Sequence, residues 1–301
     1  MIDSCYVGDV RDGLRAFIAA GIRAQTCVTS PPYWGLRDYG VEGQIGGESS
    51  IAEWLGVMVA VFRLVRDVLA DDGTLWVNMG DGYNAGTVSK RKAPLTDVDV
   101  GGWGDAEIDG GARLNEPTLK RKDMIGQPWR LAFALQADGW YLRRDVIWHK
   151  PNAMPETVND RPATAHEYLF LLSKRERYFY DADAIKEPVT GNAHARGNGI
   201  TSFSGAVNEI VETRNKRSVW TIPTEGYADA HFATFPTALV EPCILAGSRV
   251  GDVVLDPFMG SGTVAQVAQS LGRKWLGCEL NLAYGELQKR RAAQRGLELS
   301  P

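Results

Sequence analysis

The most constraining stretch of the sequence lies near its C-terminal end, where Val253–Asp256 is a short apolar run that stops at Asp256-Pro257-Phe258-Met259-Gly260-Ser261-Gly262-Thr263. The spacing predicts a strand over Val253–Asp256, a helix over Thr263–Leu271, a strand over Lys274–Cys278 and a helix over Leu282–Arg291. A strand, a tight glycine turn and a helix in that order form a βαβα unit, which requires a parallel sheet with helices packed on its faces. The same alternation runs along the whole chain. Gln25–Thr29 reads as a strand that ends at Pro31-Pro32, because consecutive prolines cannot continue a ladder. From Glu53 to Leu69 the apolar residues recur at helical spacing until Asp71-Asp72-Gly73, after which Thr74–Met79 reads as a buried strand. Pro128–Gln136 predicts a helix, and Asp145–His149 and Glu167–Ser173 predict strands. The expected fold class is α/β, a doubly wound, mostly parallel sheet.

Composition supports an ordinary folded protein. The 301 residues are 44% hydrophobic and 23% charged, which excludes disordered, collagenous and coiled-coil classes. No internal repeat recurs at a fixed period, so solenoids and propellers are set aside. No run approaches the ~18–20 apolar residues of a membrane-spanning helix, and the first residues lack the basic and apolar regions of a secretory signal. Four cysteines, Cys5, Cys27, Cys243 and Cys278, show no metal-ligand spacing. That pattern suits a reducing cytoplasm and argues against structural zinc, so neither a metal nor a membrane is expected. The formal net charge of −4 argues against a nucleic-acid partner unless local patches supply the positive surface. Such patches occur in two irregular stretches. Asn84–Met124 carries Lys90-Arg91-Lys92 and Lys120-Arg121-Lys122, and Thr190–Ser218 carries Arg196, Arg214, Lys216 and Arg217. Loops as long as 84–124 are usually functional or disordered, and this one reads as a mobile insertion.

Two motifs carry chemistry. In Asp256–Thr263 the glycines remove side-chain bulk, so backbone can approach a ligand closely. Many α/β proteins place such a turn merely to pack a helix on a strand. It is not a phosphate loop, because no Lys-Ser/Thr follows, and the third glycine of the dinucleotide fingerprint is missing. Glu279, at the end of the next strand, could accept hydrogen bonds from ribose hydroxyls. The second motif is Thr29-Ser30-Pro31-Pro32-Tyr33-Trp34. Its prolines stiffen the backbone and remove two donors, leaving carbonyls free to accept, with an aromatic ring on the same turn. This arrangement suits a planar amine. A polyproline ligand is the alternative for PPYW, disfavoured by its place after a core strand.

Together these residues resemble the amino-group DNA methyltransferases, whose catalytic motif is (D/N/S)PP(Y/F/W) and whose S-adenosylmethionine motif is DPFxGSGT. The catalytic motif precedes the cofactor motif, which resembles the β class of that family, including its orphan and phage-type members. Tyr6–Leu14 with Asp9 is similar to the acidic motif placed near the cofactor adenine. Ile147–Asn152 and Arg161–Tyr168 resemble the middle motifs, and His231–Pro236 through Val240 the segment leading to the methionine pocket. The resemblance implies a Rossmann-like methyltransferase fold with permuted motif order. Its catalytic domain would be 1–180 and 219–301, with 181–218 as target-recognition region and 84–124 sharing that work. It implies S-adenosylmethionine as cofactor, held by Asp9, Phe235, Pro236, Asp256, Pro257, Phe258, Gly260, Ser261, Gly262, Thr263 and Glu279. Double-stranded DNA is the implied partner, and a homodimer in the cytoplasm the implied form.

An exocyclic amine is a poor nucleophile because its lone pair is delocalised into the ring. Ser30 Oγ and the Pro31 carbonyl can accept its two N–H bonds while Pro32 stiffens the turn and Tyr33 stacks on the base. The amine is inaccessible inside a duplex, so the base must be flipped out. Stacking on Tyr33 and Trp34 would offset part of that cost, at roughly 1–3 kcal/mol per base. Lys120, Arg121, Lys122, Arg196, Arg214, Lys216 and Arg217 are the expected phosphate contacts. The expected acceptor is adenine N6, with cytosine N4 as the alternative. Other readings are a non-catalytic DNA-binding regulator, an RNA or protein methyltransferase, and a cytosine-5 enzyme with Cys243 as nucleophile. The apolar run Val240–Leu245 argues that Cys243 belongs to the core. His149 and His166 could be general bases, but they read better as strand-end hydrogen-bonding residues.

Overall fold

The computed structural model describes residues 2–35, 41–84, 116–189, 212–225 and 235–293. Among the described residues the strands are β1 (Ser4–Val7), β2 (Ala24–Thr29), β3 (Leu69–Met79), β4 (Tyr141–His149), β5 (His166–Ser173), β6 (Glu187–Pro188), β7 (Thr213–Arg214), β8 (Val219–Thr221), β9 (Val253–Asp256) and β10 (Lys274–Glu279). The helices are α1 (Val10–Ala19), α2 (Ile51–Val68), α3 (Gln127–Ala137), α4 (Thr237–Gly247), α5 (Thr263–Ser270) and α6 (Tyr284–Ala293). Eight strands form one sheet in the order β1-β10-β9-β2-β3-β5-β4-β8, and β6 pairs with β7 in a separate ribbon. The strands from β1 to β3 run parallel, whereas β5 is antiparallel to both β3 and β4.

Alternation along each strand decides which helix it meets. Cys27, Leu75, Val77, Leu172, Leu255 and Leu276 point to one face, where they pack on Leu14 and Phe17 of α1, on α2, and on Leu131 and Leu135 of α3. Their neighbours Val28, Trp76, Leu171, Val254 and Trp275 point to the other face, against Val240 and Ile244 of α4 and Val264 and Val267 of α5. Helix α2 shows how the pattern becomes packing. Trp54, Met58, Val61, Phe62 and Val65 lie on one helical stripe and are all fully buried, each worth roughly 1.5–3 kcal/mol relative to exposure. The Ser50 side chain accepts from Glu53 N and starts the helix.

One expectation changes here. Asp71-Asp72-Gly73 is not a stop between helix and strand. The backbone turns extended at Leu69, which pairs with Ala24, and the next ladder pair is Thr26 with Thr74. The three residues therefore bulge out within β3, because their carboxylates have partners there: Gln25 Nε2 donates to Asp72 Oδ1 at 3.0 Å, and Lys174 pairs with Asp71 at 3.3 Å.

The connections place a crevice. From β2 the chain leaves through α2 on one face to β3, and from the adjacent β9 it leaves through α5 on the opposite face to β10. Neighbouring parallel strands whose crossovers diverge leave a gap outside their carboxyl ends. Thr29 and Asp256 end those two strands. The insertion is clamped where it leaves and rejoins the sheet: Glu116 N donates to Asn84 Oδ1 at 3.0 Å, and Asn84 N to Asp123 O at 2.9 Å. Residues 85–115, including Lys90-Arg91-Lys92 and the expected mobility of the insertion, lie outside the described residues, as do 190–211 with Arg196.

Candidate active site

On the β9 side, the carboxylate of Asp256 is 1% exposed. It accepts from Thr29 Oγ1 at 2.7 Å and from Phe258 N at 3.0 Å. Burial pushes this carboxyl up to about 7, against the pull of its two donors. The glycine turn is held from two sides. Gly260 N and Asn281 N each donate at 2.8 Å to separate oxygens of Glu279, whose carboxyl is also raised by burial. Gln288 Nε2 of α6 donates to Gly260 O at 2.8 Å, and Arg291 donates to the Thr263 hydroxyl. Gly262 has φ +90°, and a Cβ there would stand 3.3 Å from Gln288 Cγ, so both the conformation and the packing of α6 require glycine. Beside it the buried Ser261 Oγ has no hydrogen-bond partner among the described residues.

On the β2 side the double proline is bolted to the core. The Pro32 carbonyl accepts from Trp54 Nε1 at 3.1 Å, and Trp34 N donates to Gln127 Oε1 at 3.0 Å. Gly46 has φ +108°, and a Cβ there would sit 2.9 Å from the Tyr33 carbonyl oxygen. Tyr33 Oη donates to Glu167 Oε2 at 3.2 Å and lies 3.5 Å from Ser30 Oγ. Burial raises the phenol well above its ordinary range.

A cavity of about 310 Å³ joins the two sides, its wall including Asp9, Ser30, Pro31, Pro32, Tyr33, Phe235, Pro257, Phe258, Gly260, Ser261, Thr263 and Glu279. Three of the expected residues stand behind that wall rather than in it. Asp256 ties the two strand ends together, Gly262 shapes the turn, and Pro236 is buried at the start of α4. Asp9 caps α1 and is gripped by Arg11, whose hydrogen bonds hold its carboxyl below the usual range despite partial burial.

Trp34 requires a correction. It is 2% exposed, packs in the core with Trp54, and donates Nε1 to the Glu48 carbonyl at 2.9 Å, so it has no face to offer a base. The turn presents Tyr33 and buries Trp34.

The basic residues are partly committed to partners within the chain. Arg214 and Arg217 both bond Glu187 Oε1, at 2.8 and 2.7 Å, Lys122 pairs with Asp160, and Lys120 Nζ lies 3.7 Å from Asp123. The Lys216 ammonium lies 5.1 Å from the centre of the Trp220 ring. Arg121 is exposed. Cys243 is buried in the core under α4, with Sγ directed at Leu239 O, and burial raises its thiol, which excludes it as an exposed nucleophile. His149 meets Thr221 Oγ1 at 3.2 Å and His166 stacks edge-on against Tyr168, while their sequence neighbours Lys150 and Glu167 face the cavity together with Asn78. Sequence reasoning passed over these three. For Glu167 the available signal was the alternation of β5, which puts His166 and its neighbour on opposite sides.

Residues 24–290 match the family model described as DNA methylase, which covers N6 and N4 methyltransferases. The chain belongs to the N6/N4 DNA methylase family. It is 48% identical over 287 residues to the Type II methyltransferase M.Cfr9I of Citrobacter freundii, covering 94% of this chain and 85% of that protein. It is also 48% identical over 293 residues to the Type II methyltransferase M.SmaI of Serratia marcescens, covering 96% and 90%. Among solved structures, the PvuII DNA methyltransferase (cytosine-N4-specific) superposes with a TM-score of 0.66 at 19% identity, covering 97% of this chain and 86% of that one. The M1.HpyAVI–SAM complex superposes at 0.56 and 16% identity, covering 96% and 98%. This N6/N4 DNA methylase therefore transfers methyl groups to amino groups of DNA and uses S-adenosylmethionine, on the Rossmann-like fold that the two motifs imply. Among the described residues no helix is long and apolar enough to cross a membrane.

Proposed function

We propose that the protein is a site-specific methyltransferase of duplex DNA that modifies an exocyclic amine of a flipped-out base. The observation that carries this reading is the single cavity lined by Ser30–Tyr33 on one side and by Pro257–Thr263 with Glu279 on the other. The lining fits the cofactor. Ser261 Oγ is a buried polar atom in need of a partner, the glycine turn leaves room for close approach, and Glu279 keeps lone pairs for ribose hydroxyls beyond its two backbone donors. Phe258, Phe235 and Asp9 line the same cavity, and the family resemblance supports a place for Asp9 near the cofactor adenine. When bound, S-adenosylmethionine supplies an electrophilic methyl group on a positively charged sulfur.

The chain's own task is to prepare the amine. Ser30 Oγ and the Pro31 carbonyl accept its N–H bonds and draw it out of conjugation, and the face of Tyr33 stacks on the ring. Extrusion costs a few kcal/mol, of which Tyr33 alone recovers part. No covalent intermediate is needed. Residues 181–218 form the target-recognition region with help from 84–124, and Lys120, Arg121, Lys122, Arg196, Arg214, Lys216 and Arg217 meet phosphates. Family resemblance supports a homodimer acting in the cytoplasm, the first of which light scattering checks.

On that resemblance the acceptor is adenine N6. Cytosine N4 is the second reading, favoured by serine rather than aspartate at position 30. Methylating an oligonucleotide library with tritiated cofactor and digesting it to nucleosides decides between them: N4-methylcytosine alone sinks the adenine reading, and label in neither amine sinks both.

A further inference from the structure

Glu167 stands in the same cavity as Ser30 and Tyr33, and its hydrogen bonds have a direction. Lys150 Nζ donates to Glu167 Oε1 while lying 4.3 Å from the centre of the Trp148 ring, and the two side chains are only 18% and 19% exposed. Both oxygens of Glu167 thus act as acceptors, Oε1 from Lys150 and Oε2 from Tyr33. The Tyr33 hydroxyl has one proton, and Oη donates it to Glu167 Oε2. The phenol oxygen is then left with lone pairs alone. Ser30 Oγ lies 3.5 Å from that same oxygen, a distance at which either hydroxyl could be the donor. Glu167 removes the ambiguity. With the tyrosine proton committed, the bond runs from Ser30 to Tyr33, and the serine presents only lone pairs to the cavity.

We infer that Glu167, locked by Lys150, is a positioning residue that acts through Tyr33 to set the direction of the Ser30–Tyr33 hydrogen bond and so makes Ser30 an obligate acceptor toward the substrate amine. This deepens the proposed function and rests on its reading of Ser30 as amine acceptor. A serine free to turn its proton into the cavity would instead oppose the amine's N–H. The chemistry sharpens on substitution by glutamine. The lysine would hold the amide oxygen, which turns the amide N–H toward Tyr33, reverses the tyrosine proton toward Ser30 and drives the serine proton at the substrate.

The test is single-turnover methyl transfer to duplex DNA at saturating cofactor, alongside calorimetric binding of S-adenosylmethionine. E167Q is expected to lose roughly 10- to 100-fold in rate, the scale of one charge-assisted hydrogen bond, with cofactor affinity unchanged. In a Tyr33→Phe background the same substitution should cost nothing further, because the line is already cut. Adding Lys150→Met to E167Q should recover part of the rate, since the amide can then present its oxygen to Tyr33. A merely structural role predicts additive losses and no recovery. A wild-type rate for E167Q, an undiminished cost in the Tyr33→Phe background, or the absence of recovery would each overturn the inference. Ser30→Ala separates it from its premise: an unimpaired Ser30→Ala refutes the acceptor reading, whereas an impaired Ser30→Ala beside an unaffected E167Q refutes the role of Glu167 alone.

Discussion

The hydroxyl of Thr29 donates to the carboxylate of Asp256 at 2.7 Å across 227 residues of chain, joining the ends of the two strands that lead into the double proline and the glycine turn. The bond is buried, and the acceptor is fully desolvated. Thr29→Val keeps the shape and removes the donor, leaving Asp256 with only Phe258 N. A loss of about 1–3 kcal/mol in urea unfolding is expected, together with weaker cofactor binding as the two strand ends loosen.

Asp256 also makes stability depend on pH. Its carboxyl titrates at about 7 in the folded protein, above the ~3.9 of an unfolded chain, so across that interval unfolding releases a proton that folding retains. The contribution of this group is fully present below about pH 4, declines as pH rises through about 7, and is constant beyond. Asp256→Asn should flatten that decline, and urea midpoints of wild type and variant between pH 4 and 8 give the difference curve. A decline of the same size in the variant would assign the effect to other groups.

Tyr33→Ala removes the ring that lines the cavity while leaving the glycine turn and Glu279 in place. Methyl transfer should fall by at least about 100-fold, and calorimetric affinity for S-adenosylmethionine should stay within about threefold, since base stacking and amine positioning are lost together. Unchanged turnover would refute the placement of the base on this side chain.

Trp34→Ala should behave as a core deletion. Its indole is buried, so a cavity costing about 3–5 kcal/mol is expected in thermal or urea unfolding. Residual folded enzyme at low temperature should retain the wild-type preference among substrate bases. A stable variant with a selective defect in base binding would restore Trp34 to the site.

All three residues of this basic triplet are exposed, but Lys122 is paired with Asp160 and Lys120 lies near Asp123, whereas Arg121 has no ion pair among the described residues. Arg121→Ala should weaken DNA binding to a similar degree on all sequences and lower the slope of log affinity against log salt by about one, as loss of one phosphate contact requires. Arg217→Ala should change that slope less, because Arg217 already serves Glu187. Titrations at several salt concentrations distinguish the two.

The sequence was most legible where one residue type admits one conformation. The double proline after β2 and the glycines after β9 located both sides of the cavity, because each ends a strand in a way few residues can. Net charge misled, since it averages over surfaces that do not meet DNA. Trp34 was misread because an aromatic residue beside a motif looks the same in sequence whether it faces the cavity or the core. Glu167 and Lys150 were hidden for a different reason. Their meaning lies in a hydrogen-bonded line through Tyr33 to Ser30 that spans three strand ends, and no local pattern announces it. The bulge at Asp71–Gly73 likewise depends on Gln25 and Lys174, partners distant in the chain.

The strand order has a consequence for the timing of synthesis. Strand β1, made well before β10, ladders with it, and β9 must enter between β10 and β2 in the middle of the sheet. Until β9 emerges, β2 has an open edge and Thr29 has no Asp256 to bond. Contacts this distant in sequence slow folding and leave an unpaired edge exposed meanwhile. A nascent chain therefore carries the double-proline turn long before the glycine turn that faces it across the cavity, and the two meet only as β9 and β10 close the sheet.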